Sequence, residues 1–192
     1  MTTRTALVQG TDDAATEALV RRLTADGFRV TVTDPASEEP DAAVAAIGSL
    51  DAVVCAVGQP PHAPFPDVDP QEWFHGVMAT LTPAFRLVRA SVPALRKSTA
   101  GRIVLLGSGW STGDRPGSTA ASAVHGAVVA LTKTLARDLG PDGITVNQVV
   151  IDPADPADPA TVASAVSYLC RPEAGAVVGQ LLTVGRGGPL RP

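Results

Sequence analysis

The chain is poor in aromatic residues, in cysteine and in charge. Aromatics make up 4% of its 192 residues against a hydrophobic content of 45%, so its interior must be built from Ala, Val and Leu. Its two cysteines, Cys55 and Cys170, lie far apart and form no CxxC pair. That argues against a disulfide framework and against a zinc site. No apolar run approaches the length of a membrane span. Met1-Thr-Thr-Arg-Thr leads straight into a strand and has no signal-peptide core, so the expectation is a cytoplasmic protein with no membrane partner. A formal net charge of -4 offers no surface for nucleic acid.

What is present is alternation. Thr5–Val8, Phe28–Thr33, Asp51–Val57, Arg102–Leu106, Ile144–Val150 and Gly179–Val184 read as strands. Between them Ala14–Ala25, Asp41–Ile47, Pro70–Lys97, Thr119–Leu139 and Thr161–Cys170 carry helical periodicity, the third interrupted by Pro83 and Pro93. Such alternation means βαβ units, right-handed crossovers and a parallel sheet covered on both faces. The fold class is α/β, a Rossmann-like doubly wound parallel sheet in a single domain over residues 1–192. Asp152-Pro-Ala-Asp-Pro-Ala-Asp-Pro-Ala160 is a triple repeat that should run extended. Asp158 then caps the next helix, with Pro159 in its first turn. Three acids on an evenly repeated linker are poor cation ligands, so no metal is expected.

The stretch Ser118-Thr-Ala-Ala121-Ser-Ala-Val-His125-Gly-Ala-Val-Val-Ala-Leu-Thr-Lys-Thr-Leu-Ala136 resembles the catalytic helix of the short-chain dehydrogenase/reductases, usually Y-S-A-S-K-G-A-V-x-x-L-T-K-x-L-A. The likeness extends over nearly the whole chain, including Gly143-Ile-Thr-Val-Asn147 and Val178-Gly-Gln-Leu-Leu-Thr-Val184. It implies a dehydrogenase scaffold of about 250 residues shortened in two places. Thr33 to Asp51 has room for one short helix, so one edge strand should be missing and Phe28–Thr33 should become the sheet edge. The substrate-lid helices after Val150 should be missing too.

Against the family's pattern, Ala121 stands at the catalytic Tyr and His125 at the Lys. A methyl group cannot transfer a proton. The phosphate loop T-G-x-x-x-G-x-G keeps only Gly10, with Asp12 and Asp13 where phosphates would lie and with Ala14 and Thr16 at the later glycines. The expectation is that no NAD(P) and no other cofactor binds. Asp34 is either the relic of a ribose-binding acid or the Asp of an Asp-Pro turn. The N-N-A-G motif reads Cys55-Ala56-Val57-Gly58, and the structural Asn of the long helix is Thr80.

Ser108 lies thirteen residues before Ala121, at the spacing of the family's substrate-binding Ser, and could support an oxyanion. His125 shares a helix face with Ala121 and could move a proton. Ser108 and His125 are therefore the catalytic candidates. Thr80, Trp110, Ala121, Asp152 and His62 are candidates for the pocket around them. Three have a plainer alternative: Ser108 as a strand-end Ser, His125 as an interior His, Trp110 as a plug in vacated space. The leading expectation is a cofactor-independent cyclase, isomerase or lyase acting on a ketone-like small-molecule substrate. The alternatives are a non-catalytic assembly partner and a residual NAD(P)-dependent oxidoreductase. The resemblance also implies association through Gln71–Lys97, Thr119–Leu139 and Gly179–Gly188, as a homo-oligomer or as a heteromer with an active paralogue.

Overall fold

The computed structural model describes residues 3–11, 13–36, 40–108, 116–151 and 157–185. Six strands form one sheet: β1 (Arg4–Gln9), β2 (Phe28–Thr33), β3 (Ala52–Ala56), β4 (Arg102–Ser108), β5 (Thr145–Ile151) and β6 (Leu181–Val184). Every pairing is parallel and the order is β2-β1-β3-β4-β5-β6. The helices are α1 (Ala14–Ala25), α2 (Pro40–Ile47), α3 (Pro70–Leu95), α4 (Thr119–Leu139) and α5 (Pro159–Cys170).

The central strands read as unbroken apolar runs because both their faces are covered. Leu7, Val53, Leu105 and Val146 pack into one core with residues of α3 and α4. Ala6, Val8, Val54 and Val104 turn to the other face and pack with α1 and α5. Only α2 intervenes between β2 and β3, so β2 lies at the sheet edge, where Val32 is 45% exposed. The sequence expectation of six parallel strands with Phe28–Thr33 outermost is met.

Local signals set the ends of the elements. Asp158 accepts the Thr161 N–H at 2.9 Å and Pro159 opens α5, as read from the sequence. Asp69 accepts from Gln71 and Glu72 at the start of α3. That helix runs through Pro83 and Pro93 as one element, so the expected interruption is absent. Asn147 holds the last turn by donating to the Val177 carbonyl and accepting the Gln180 N–H.

Polar contacts also tie elements together at the amino edge of the sheet. Buried Arg102 donates to the carbonyls of Gly101, Arg171 and Pro172, and burial lowers its pKa. Nearby, Asp26 joins α1 to α5 by accepting from Arg22, Arg171 and Ser167. Burial pushes the Asp26 carboxyl up, but the bonds from Ser167, Arg171 and Arg22 outweigh it and hold the group well below its usual value. A carboxylate with a depressed folded-state pKa contributes stability that is complete above the unfolded value and lost as pH falls below it. Asp26→Asn is therefore expected to lower unfolding free energy by about 2 kcal/mol at pH 7. The same change should flatten the loss of stability below about pH 4. Urea denaturation at a series of pH values checks this, and an unchanged acid limb would refute it.

Candidate functional site

In a parallel α/β sheet, ligands bind outside the carboxyl ends of the strands where the chain switches direction. Here β2 lies to one side of β1 and β3 to the other, so the switch point falls between β1 and β3. Gln9–Gly10, Ala56–Gly58, Ser108 and Ile151 all come out on this edge.

The first turn of α1 closes on itself. Asp13 is its N-cap and accepts the Thr16 N–H at 2.8 Å, while its other oxygen accepts the Thr11 hydroxyl at 2.7 Å. Those two bonds, the Thr16 amide first, hold the Asp13 carboxyl below its usual range. A Cβ added at Gly10 would lie 2.3 Å from Thr16 Oγ1. The bare Cα of Gly10 thus makes room for the buried Thr16 side chain. One of the free N–H groups at the helix start is spent on Asp13, and a fixed negative charge stands beside the others. Asp12 lies outside the described residues.

Asp34 accepts the Ala36 N–H at 2.8 Å, so its side chain makes the turn that the Asp-Pro pair suggested. Cys55 is fully buried, and burial pushes its thiol up to about 12. It is no nucleophile. Beside it in register sits Gln9, which sequence reasoning missed. Gln9 is buried, and its Oε1 has no hydrogen-bond partner among the described residues. The available signal was an amide side chain closing an otherwise apolar strand just before Gly10.

Ala121 is buried in the first turns of α4, and His125 follows one turn later on the same face, partly buried. Burial lowers the His125 pKa, and Nδ1 has no partner among the described residues. Ser108 ends β4 opposite Ile151 of β5. Thr80 donates its hydroxyl to Gly76 of its own helix at 2.8 Å. Trp110 and Asp152 lie outside the described residues, so the pocket expected around Ser108 and His125 cannot be assembled from them.

His62, the loop candidate, makes a contact between distant segments. Its Nε2 donates to the Pro116 carbonyl at 2.7 Å, and the Ala63 N–H donates to Gly117 at 3.1 Å. Gly117 has φ +83°, and a Cβ there would sit 2.4 Å from His62 Cε1. The imidazole therefore clamps the Pro-rich loop against the approach to α4.

Two cavities open elsewhere. An apolar groove of about 380 Å³ runs between α3 and α4, lined chiefly by Leu81, Phe85, Val88, Val128, Leu131 and Leu135. A second cavity of about 620 Å³ lies between the Pro-rich loop and the first turns of α3 and α4. Neither has Ser108, His125, Thr80, Ala121 or His62 in its lining. Among the described residues no cluster of three His, Cys, Asp or Glu is placed to hold a metal ion. No described helix is long and apolar enough to cross a membrane.

A family model described as enoyl-(acyl carrier protein) reductase matches residues 4–156. The chain belongs to the short-chain dehydrogenase/reductase family. The 3-oxoacyl-[acyl-carrier-protein] reductase FabG of Salmonella typhimurium is 29% identical over 186 residues, which cover 84% of this chain and 76% of that protein. The same enzyme from Vibrio harveyi is 29% identical over 139 residues. That match spans 60% of this chain and 57% of the relative. Among solved structures, a short-chain dehydrogenase/reductase from Serratia marcescens superposes with a TM-score of 0.84 at 25% identity. That superposition covers 94% of this chain and 95% of the other. Acetoin dehydrogenase from Enterobacter cloacae gives 0.85 at 22% identity over the whole of both chains, a likeness of fold. The chain shares with these structures a parallel sheet flanked by helices.

Proposed function

We propose that this protein keeps the family's scaffold without its nicotinamide-dependent reduction and acts as an assembly subunit, pairing through α3 and α4 with a second subunit of the same fold. The observation that carries this reading is the self-capped first turn of α1. Asp13 takes up the Thr16 amide and Thr16 fills the space over Gly10, where the family's pattern places glycines and phosphate. Ala121 and His125 at the family's Tyr and Lys positions support it, since neither can supply a phenolic proton. The groove between α3 and α4, with Phe85 exposed beside it, supports the assembly.

The names of the curated relatives weigh on the other side. They are reductases, and nicotinamide-dependent turnover is the outcome that would overturn the proposal. The test is a stopped assay in which the protein, alone and mixed with an active family member from its source organism, meets NADH or NADPH and short 3-oxoacyl thioesters. The protein alone is expected to oxidise neither nucleotide above the buffer rate. Losing a general acid typically costs 10²–10⁴-fold, so residual turnover within about tenfold of an active member would refute the reading.

A second reading has one observation in its favour. His125 is partly buried, burial lowers its pKa, and its Nδ1 has no partner among the described residues, which suits a general base. It would serve a cofactor-independent cyclisation, isomerisation or dehydration with Ser108 supporting an oxyanion. His125→Ala and Ser108→Ala should then each abolish product formation in the producing cell while the fold persists. Unchanged product levels in both variants would leave the assembly reading alone.

A further inference from the structure

The groove between α3 and α4 is deeper than a seam between two helices. Its floor is the sheet: Val57, just beyond β3, and Leu105 of β4 reach it, and both are buried. On the α3 wall Ala84 stops at its Cβ, and on the α4 wall Leu131 and Leu135 stand one turn apart. From Leu81 to Arg89 the α3 wall runs about 12 Å along the helix axis. The space of about 380 Å³ is therefore a long slot, and its volume lies within the range of small-molecule sites. Every lining residue belongs to the described segments.

Two arginines aside, no lining residue has a polar side chain. A sugar, a nucleotide or a polar peptide would leave its own groups unpaired there, so the body of a ligand must be apolar. The charge at the rim has one sign. Residues 73–97 hold Arg86, Arg89, Arg96 and Lys97 and no Asp or Glu, in a chain of net charge -4. Arg89 and Arg96 are the two that line the slot. Arg96 is engaged by Asp142 at 2.8 Å, whereas Arg89 forms no ion pair with a described residue. The acids outside the described residues are Asp12, Glu38, Glu39, Asp114, Asp152 and Asp155, and all belong to connections that follow the carboxyl ends of strands. Arg89 lies roughly 28 Å along α3 from its start at that edge. An unengaged guanidinium beside an apolar slot disfavours cations and suits a carboxylate on an apolar chain.

We propose that the slot binds a flexible apolar chain ending in a carboxylate, with the chain on Val57, Leu105 and Leu131 and the carboxylate on Arg89. The same groove is the surface assigned to subunit pairing, so an occupied slot and a covered one exclude each other. The binding itself does not rest on that pairing, because the floor and both walls belong to one chain.

The experiment is equilibrium dialysis of the full chain against radiolabelled decanoate, octanoate and decylamine, paired with a sizing column run with and without decanoate. Decanoate is expected to bind saturably, one per chain, and about tenfold more tightly than octanoate, because two more methylenes leave water. It should also bind about tenfold more tightly than decylamine, which places a cation beside Arg89. Arg89→Glu, at an exposed position, should reverse the order of decanoate and decylamine. Ala84→Leu or Leu131→Trp should fill the slot and remove binding, and either variant suffices if the other does not fold. The proposal is overturned if decylamine binds the unaltered protein as tightly as decanoate, or if Arg89→Glu leaves decanoate affinity unchanged. It is equally overturned if decanoate does not saturate below about 1 mM. The sizing column keeps the two proposals apart. Saturable binding by a protein that stays monomeric keeps the slot and removes the pairing. Assembled protein that neither binds decanoate nor dissociates in it removes the slot and keeps the pairing.

Discussion

A single glutamate at Phe85 is expected to prevent the proposed pairing through α3 and α4. Phe85 is 54% exposed on α3, and Met78 and Phe74 further up the same helix are exposed as well. Such residues cost little in the free chain and carry weight only when a partner covers them. A carboxylate in the covered groove would lie against Leu81, Val88, Leu131 and Leu135, with Arg89 one turn on along α3. In a two-fold interface the substitution occurs twice, and at about 3 kcal/mol per copy the dissociation constant rises by roughly 10⁴. Light scattering behind a sizing column reads this directly. The wild type should elute as a dimer, tetramer or heteromer at micromolar concentration, and Phe85→Glu as a monomer with unchanged circular dichroism. A wild type that stays monomeric at high micromolar concentration, alone and with an active family member, would remove the assembly proposal.

The parts of the fold that were legible in the sequence are those set by local rules. Apolar runs of strand length between helical periods gave six strands and five helices, and the short interval from Thr33 to Ala52 placed β2 at the edge. Asp158 and Pro159 announced the start of α5 because capping is chemistry within one turn. The site was less legible because its geometry depends on approaches between distant segments. Nothing local to His62 says that its ring will rest on Gly117, and nothing local to Trp73 says that it will bond Thr119. The same limit explains Gln9. A polar residue at a strand end is unremarkable until the neighbouring strand buries it beside Cys55. Matching Ser108 and His125 to family positions is a reading of residue type alone, and the neighbouring β4–α4 and β5–α5 connections, residues 109–115 and 152–156, lie outside the described segments.

The first turn of α1 gives the largest expected effect on ligand affinity. Calorimetry with NAD(H) or NADP(H) at millimolar concentration is expected to show no saturable heat. Each carboxylate about 4 Å from a phosphate costs around 4 kcal/mol at an effective dielectric near 20, before solvent screening. The helix dipole returns at most ~2 kcal/mol. For Asp13 alone repulsion exceeds attraction before screening and about matches it when screening halves it, and Thr16 adds a steric barrier over Gly10. The loop can be rebuilt to test this. Asp13→Ser keeps a capping oxygen for the Thr16 amide and removes the charge. Combined with Asp12→Ser, Ala14→Gly and Thr16→Gly, it restores the family's glycine spacing and frees the surface above Gly10. Affinity for NAD(P)H should rise by at least about 100-fold, the equivalent of ~2.7 kcal/mol. Rebuilding the loop leaves Ala121 and His125 in place, so binding should return without hydride transfer to a ketone. If the rebuilt loop gains nothing, the block lies elsewhere along the carboxyl edge. A micromolar dissociation constant for the unaltered protein would show that Asp13 and Thr16 do not exclude the nucleotide, and would overturn the exclusion argued from the first turn of α1.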